Sequence, residues 1–130
     1  MHVASGAAAG ALLRTRKRAL IAGALLHFVG DVIPHQDIAS RRFEIRSGFA
    51  LVALIALARG PTDPAVVGAL AASAPDIEHV VSLPRPGGRK LFPTHRVPGL
   101  HQTGGVRAWA QLLVAGALIG LVVSERKKAG

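Results

Sequence analysis

Apolar residues run through this chain in five blocks, separated by charged or proline-rich breaks. The first block, residues 3–13, is rich in Ala and Gly and contains Gly6-x-x-x-Gly10. A basic turn at 14–18 follows, and a second block covers about 19–33. It has to end there, because Pro34 lacks an N–H donor and disfavours helical geometry at Ile33. The third block spans about 43–58. Gly60-Pro61-Thr62-Asp63-Pro64 then breaks the pattern, with Asp63 suited to cap a helix and Pro64 to its first position. The fourth block, 64 to about 82, is kinked or restarted at Pro75. The last, about 106–124, is followed by Arg126, Lys127 and Lys128, which suit the negative end of a helix. Its Gly116-x-x-x-Gly120 spacing permits close helix contact in lipid. Between the last two blocks, a loop over about 83–105 carries Pro84, Pro86, Pro93, Pro98 and several glycines.

This pattern predicts an all-α protein: a small polytopic membrane bundle of four to five short helices with one long loop, residues 1–130 forming a single domain. The blocks fall short of the roughly 20 apolar residues that a full bilayer span asks for. Residues 106–123 come nearest, with Trp109 placed as an interfacial anchor. The others imply thinning, kinks or shallow embedding. A soluble helical bundle is the competing expectation, although the second and fifth blocks offer almost no polar face for it. A faint internal echo also exists, since Gly23-Ala24-Leu25 and Gly68-Ala69-Leu70 precede Asp31 and Asp76 by the same interval.

Composition narrows the chemistry. Half of the residues are hydrophobic and there is no cysteine, so disulfides and thiolate metal sites are excluded. Any metal has to be held by His and carboxylates. The net charge of +9 suits anionic lipid or nucleic acid. No nucleic-acid partner is expected, because the basic residues form short clusters and the four Phe and one Trp form no stacking motif. The basic pairs Arg41-Arg42 and Arg89-Lys90 read as solvated or lipid-facing charges, and Phe28, Phe43 and Phe49 as packing residues. No secretory signal is expected at the amino terminus, where the apolar stretch precedes the basic cluster.

If the blocks alternate up and down, as short connections favour, one side collects the chemistry. His2, His27, His35, His79, His95 and His101 all fall there, with every acid except Asp63 and Glu125. The sixteen Lys and Arg divide evenly between the two sides, so the positive-inside rule does not orient the chain. Three segments carry the candidate residues. In Pro75-Asp76-Ile77-Glu78-His79, Asp76 and His79 share a helix face and can meet one cation; the competing explanation is a capping box begun by Ser73. In His27-x-x-x-Asp31 the two groups lie one turn apart in an apolar helix, where such residues pair or bind something. In Thr94-His95-Arg96 through His101, two histidines and an arginine suit metal binding beside a developing negative charge.

These residues together resemble the family of predicted membrane-bound metal-dependent hydrolases, small bacterial inner-membrane proteins. The family has a His before a small-residue helix, as in His2-Val3-Ala4-Ser5-Gly6. It has Pro-Asp-(Ile/Leu)-Asp-His, matched by Pro75 to His79 with Glu78 in place of the second Asp. Its His-Arg-Gly-x-Thr-His-Ser element is matched more loosely: His95 and His101 stand six positions apart, where the family has five, and Gln102 replaces Ser. The resemblance implies an integral membrane protein with a metal site more strongly than it implies any one reaction. His27-x-x-x-Asp31 is also similar to a short motif of zinc phospholipases C.

The resulting expectation is a divalent cation, zinc foremost, bound by ligands drawn from His2, Asp76, His79, His95 and His101. Glu78 or Asp31 would act as base and Arg96 as the stabiliser of anionic charge. The substrate would be a lipid-soluble or lipid-linked ester or phosphoester, with membrane lipid as the partner. The alternative is a non-enzymatic membrane protein whose His/Asp cluster fastens helices or conducts an ion.

Overall fold

The computed structural model describes residues 1–100, 102 and 104–125, and these form an all-helical arrangement. The order is α1 (His2–Leu13), α2 (Arg16–Val32), α3 (Arg41–Arg59), α4 (Pro64–Ser73), a 3₁₀ turn (Ala74–Asp76), α5 (Ile77–Val80), a second 3₁₀ turn (Pro86–Gly88), α6 (Pro93–Arg96) and α7 (Ala108–Ser124). The basic turn is tighter than the charge pattern predicts. Arg14, with φ of 58°, and the extended Thr15 make the break, and Arg16 to Arg18 already belong to α2.

The helix starts follow from local chemistry. Ser40 accepts from the Phe43 N–H at 3.3 Å, which begins α3 two residues before the apolar block. Asp63 accepts from Ala65 N at 2.8 Å and from Arg59 Nε at 3.2 Å, so it caps α4 as expected. Pro75 interrupts the fourth block through the 3₁₀ turn. The capping box expected there does not form: Ser73 Oγ donates back to the Ala69 carbonyl at 2.9 Å, and Asp76 caps nothing with its side chain. Asp76 is thereby left to other partners. Within the long loop, Pro93 starts a single helical turn that the apolar pattern does not reveal.

Helix α4 is the centre of the fold, packed against both α1 and α2, while α7 lies on α1 and α3. The contact surfaces are made of small residues: Ala4, Ala7 and Ala11 on α1 meet Ala65, Val66 and Ala69 on α4, with Ile55, Ile119 and Val122 completing the core. Glycine is essential at two of these crossings. A Cβ on Gly68 would run into the Gly6 carbonyl, and one on Gly23 would lie 2.5 Å from the Gly68 carbonyl oxygen. The backbones of α1, α4 and α2 therefore touch directly, as small-residue helix crossings allow. The loop is tied down near α2: Gln102 N donates to the Asp31 carbonyl at 3.0 Å, and Val106 N to the Pro34 carbonyl at 3.0 Å.

Two expectations are corrected here. Phe28, Phe43 and Phe49 do not fill the core but stand on its outside, Phe49 with 70% of its surface open. Such a core, built from helices at glycine-to-glycine distance, has no room for their rings. Gly116 and Gly120 make no close crossing among the described residues either, since a Cβ on either would meet none of their atoms within 4 Å. The polytopic part of the expected architecture finds no support: no helix among the described residues is long and apolar enough to cross a membrane. Large apolar side chains are nonetheless widespread on the outer faces, including Leu20, Ile21 and Leu25 of α2 and Trp109, Leu113 and Leu121 of α7. The expected basic cap Arg126, Lys127 and Lys128 lies outside the described residues.

Identical substitutions should have opposite effects at the two kinds of glycine. Gly68→Ala is expected to destabilise by about 1–3 kcal/mol through overpacking. Gly116→Ala should be neutral or stabilising by up to about 1 kcal/mol, because the site is open and Ala favours helix. Thermal unfolding of the two variants followed by circular dichroism checks this; equal melting temperatures would refute the direct-contact account.

Candidate metal centre

The helix packing brings together groups from four separated stretches of chain. His2 arrives at the first turn of α1, and His27 and Asp31 from one face of α2. Asp76, Glu78 and His79 come from the Pro75 break and α5, and His95 from the loop helix α6. His27, Asp31 and Glu78 are at most 2% exposed.

Asp31 sits at the middle. Its Oδ1 is 3.2 Å from His2 Nε2, and its Oδ2 is 3.1 Å from His27 Nε2 and 3.5 Å from His95 Nε2. Asp76 closes the other side, with Oδ1 3.6 Å from His95 Nε2 and Oδ2 3.9 Å from His27 Nδ1. Asp76 is the open member of the cluster, its side chain 42% exposed, and it connects the interior to solvent.

The ring orientations are set from behind. His27 Nδ1 donates to the Ala72 carbonyl at 2.8 Å, and His95 Nδ1 donates to Glu78 Oε1 at 2.6 Å. A carbonyl or carboxylate can only accept, so Nδ1 carries the proton in both rings and Nε2 turns inward. Glu78 is itself held, its Oε2 accepting from the Leu91 N–H at 2.8 Å. His2 lies over Gly30, where an added Cβ would come within 2.8 Å of its Cε1 atom. Gly30 thus makes the cradle for the first imidazole.

Charge follows from these contacts. Burial opposes ionisation of Asp31, but His2, His27 and Thr94 outweigh it and hold the carboxyl well below its usual range. Burial likewise opposes ionisation of Glu78, and the Leu91 N–H and His95 overcome it, lowering its pKa. The His79 imidazole is pushed down, first by burial and then by His95 and the Lys90 ammonium, whose Nζ is 3.4 Å from its Nδ1.

The fit to a cation can be tested on the donors themselves. Among the described residues, three sets bring their ligand atoms within 4.8 Å of one another: His2, His27 and Asp76; His27, Asp31 and His95; Asp76, His79 and His95. His27 Nε2 is the telling atom. It is buried, 3.1 Å from Asp31 Oδ2, an ion-pair contact that lacks good hydrogen-bond geometry among the described residues. An imidazole nitrogen and a carboxylate oxygen brought this close are also ligands that one metal ion can share. Nitrogen and carboxylate donors without thiolate suit a borderline cation such as zinc.

Of the sequence candidates, the structure joins His2, Asp76, His79 and His95 with Asp31 and Glu78. His101 lies outside the described residues. Arg96 is exposed, next in the chain to His95, and lines a groove of about 620 Å³ with Arg89, Leu91, Pro93, Val97 and Pro98. His27 was not among the expected ligands and proves central. Its signal was the i, i+4 spacing to Asp31 in an apolar helix, which reads equally well as a plain hydrogen-bonded pair. His35 turns aside instead, its Nδ1 donating to the Ile33 carbonyl at 2.7 Å and its Nε2 lying 3.5 Å from Asp37. Comparison of the chain with family models, curated proteins and solved structures finds no match.

Glu78→Gln should weaken zinc binding by about 10–100-fold, the usual effect of removing a partner that orients a ligating histidine. Competition against a chromophoric chelator measures this; an unchanged affinity would remove Glu78 from the centre's support.

Proposed function

We propose that this protein is a membrane-associated, metal-dependent hydrolase acting on a lipid-soluble or lipid-linked ester, a phosphoester in particular. The observation that carries the reading is the inward turn of imidazole Nε2 atoms onto two aspartates, with the buried His27 Nε2 3.1 Å from Asp31 Oδ2 in a contact that lacks good hydrogen-bond geometry. A divalent cation such as zinc, when bound, supplies Lewis acidity and lowers the pKa of water to near neutrality. His2, His27, His79, His95, Asp31 and Asp76 are the residues from which its ligands would be drawn.

The remaining residues orient and balance. Both Glu78 oxygens are engaged, by His95 and by the Leu91 N–H, which suits it to positioning His95 rather than to taking a proton from substrate. Asp31 has both oxygens facing imidazoles and suits the same centre as a ligand. Arg96 and Arg89, on a groove with an apolar floor, suit an anionic head joined to an apolar tail. Guanidinium groups favour phosphate through paired N–H donors. The resemblance to membrane-bound metal-dependent hydrolases points the same way.

Membrane association rests on the outer surface. Leu12 and Leu57 are 79% and 87% exposed, and α7 carries no charged residue between Ala108 and Ser124. Apolar surface spread over several helices is costly in water and marks a lipid or protein contact. Helices too short to span fit a shallow embedding, with the bacterial inner membrane as the expected location.

Two experiments test this. Purified protein loaded with zinc should hydrolyse a phospholipid or lipid phosphate in mixed micelles, lose that activity on chelation, and regain it with zinc. His79→Ala should lose at least 10²-fold in rate and retain less metal, a magnitude typical of losing metal assistance. Metal binding without any hydrolysis across ester and phosphoester substrates would favour the non-enzymatic alternative. Separately, the protein should float with liposomes and resist carbonate extraction; release into the aqueous fraction would refute the membrane assignment.

A further inference from the structure

We infer that the centre holds two divalent cations rather than one. The inference rests on the metal-centre reading above and adds to it the number and arrangement of the ions.

The four imidazoles form a row. Ring centroids are 4.4 Å apart from His2 to His27, 5.5 Å from His27 to His95, and 4.3 Å from His95 to His79. Ligand atoms of one zinc lie at most about 4 Å apart, because each bond is about 2.0–2.2 Å long. Among the described residues, no donor set holds both His2 and His79, so the ligand atoms at the two ends share no single point. A single four-coordinate ion would take three or four of the donors and leave other imidazoles and a carboxylate buried without purpose. Two ions use all of them.

The donors also divide naturally. At one end, His2 and His27 form a set with Asp76, and Asp31 lies between the two rings, its oxygens 3.2 and 3.1 Å from their Nε2 atoms. At the other, His79 and His95 form a set with Asp76. Each ion would then draw on two imidazoles and on Asp76, with Asp31 between the two, and would keep positions for water and substrate. The carboxylates link the two ends: Asp31 Oδ2 is 3.1 Å from His27 Nε2 and 3.5 Å from His95 Nε2, and Asp76 belongs to the donor sets at both ends. His95 cannot itself bridge, because its Nδ1 is committed to Glu78 and leaves one inward lone pair. Paired cations about 3.5–4 Å apart are the arrangement that clamps both the attacking and the leaving oxygen of a phosphoryl group. The site's size therefore favours the phosphoester among the substrates considered above.

The test is stoichiometry and magnetic coupling on the full-length chain in detergent. Metal-free protein titrated with zinc should bind two equivalents, and with manganese should give the multi-line resonance of an exchange-coupled pair. His2→Gln and His79→Gln, at opposite ends of the row, should each retain one equivalent and lose the coupled signal, with helical circular dichroism unchanged. One equivalent in the parent protein, with the uncoupled six-line spectrum, would overturn the two-ion inference while leaving a mononuclear centre standing. No bound metal in the folded parent protein would overturn both. Should either variant fail to fold, the parent stoichiometry and spectrum still decide the matter.

Discussion

The direct contact of three backbones governs this structure. Helix α4 touches α1 through Gly68 and Gly6 and touches α2 through Gly23, so the axes approach more closely than side chains ordinarily allow. Only at that separation do His2 at the start of α1, His27 and Asp31 near the end of α2, and the segment after α4 come within coordinating reach. The Ala- and Gly-rich composition is thus tied to the site as well as to the packing. Bulky residues at these crossings would hold the helices apart and spread the imidazoles beyond any shared ion.

A second constraint operates at Pro75. The 3₁₀ turn at Ala74–Asp76 interrupts the α-helical hydrogen bonding just before Asp76, Glu78 and His79. Asp76 there meets His27 of α2, and Glu78 meets His95 of the loop. Glu78 then fixes both Leu91 and His95, which draws the loop helix α6 over the cluster. One buried carboxylate connects the break in α4 to the placement of a histidine far along the chain.

Much of this was legible in the residues. Proline positions, the Asp63 cap and the block pattern delimit the helices, and up-down alternation puts the histidines and acids together before any coordinates are consulted. What the pattern hides is specific. The turn at Pro93–Arg96 is too short to show a period, so His95 reads as a loop residue. His27 and His35 look alike beside their acids, and only three-dimensional packing directs one inward to Asp31 and the other outward to Asp37. The two Gly-x-x-x-Gly spacings are likewise indistinguishable in sequence, although Gly6 meets a helix backbone and Gly116 meets open space among the described residues. Spacing states which contacts are permitted; neighbours decide which are made.

The energetic setting bears on why such a cluster persists. Burying a carboxylate costs several kcal/mol unless it is paired and hydrogen-bonded. A core of alanine, glycine and a few branched residues buries little apolar area per residue, and at about 25 cal/mol per Å² it has a small surplus to set against that cost. A purely structural fastening would be served as well by one hydrogen-bonded pair, with the surrounding imidazoles replaced by aliphatic groups of similar volume. Instead four imidazoles and two aspartates converge, two of the rings are held in a single tautomer from behind, and His27 Nε2 meets a carboxylate oxygen in a contact that lacks good hydrogen-bond geometry. Bound cations turn each of these costs into an interaction: they neutralise the carboxylates, use the inward lone pairs and stabilise the folded state over the unfolded one in which no site exists.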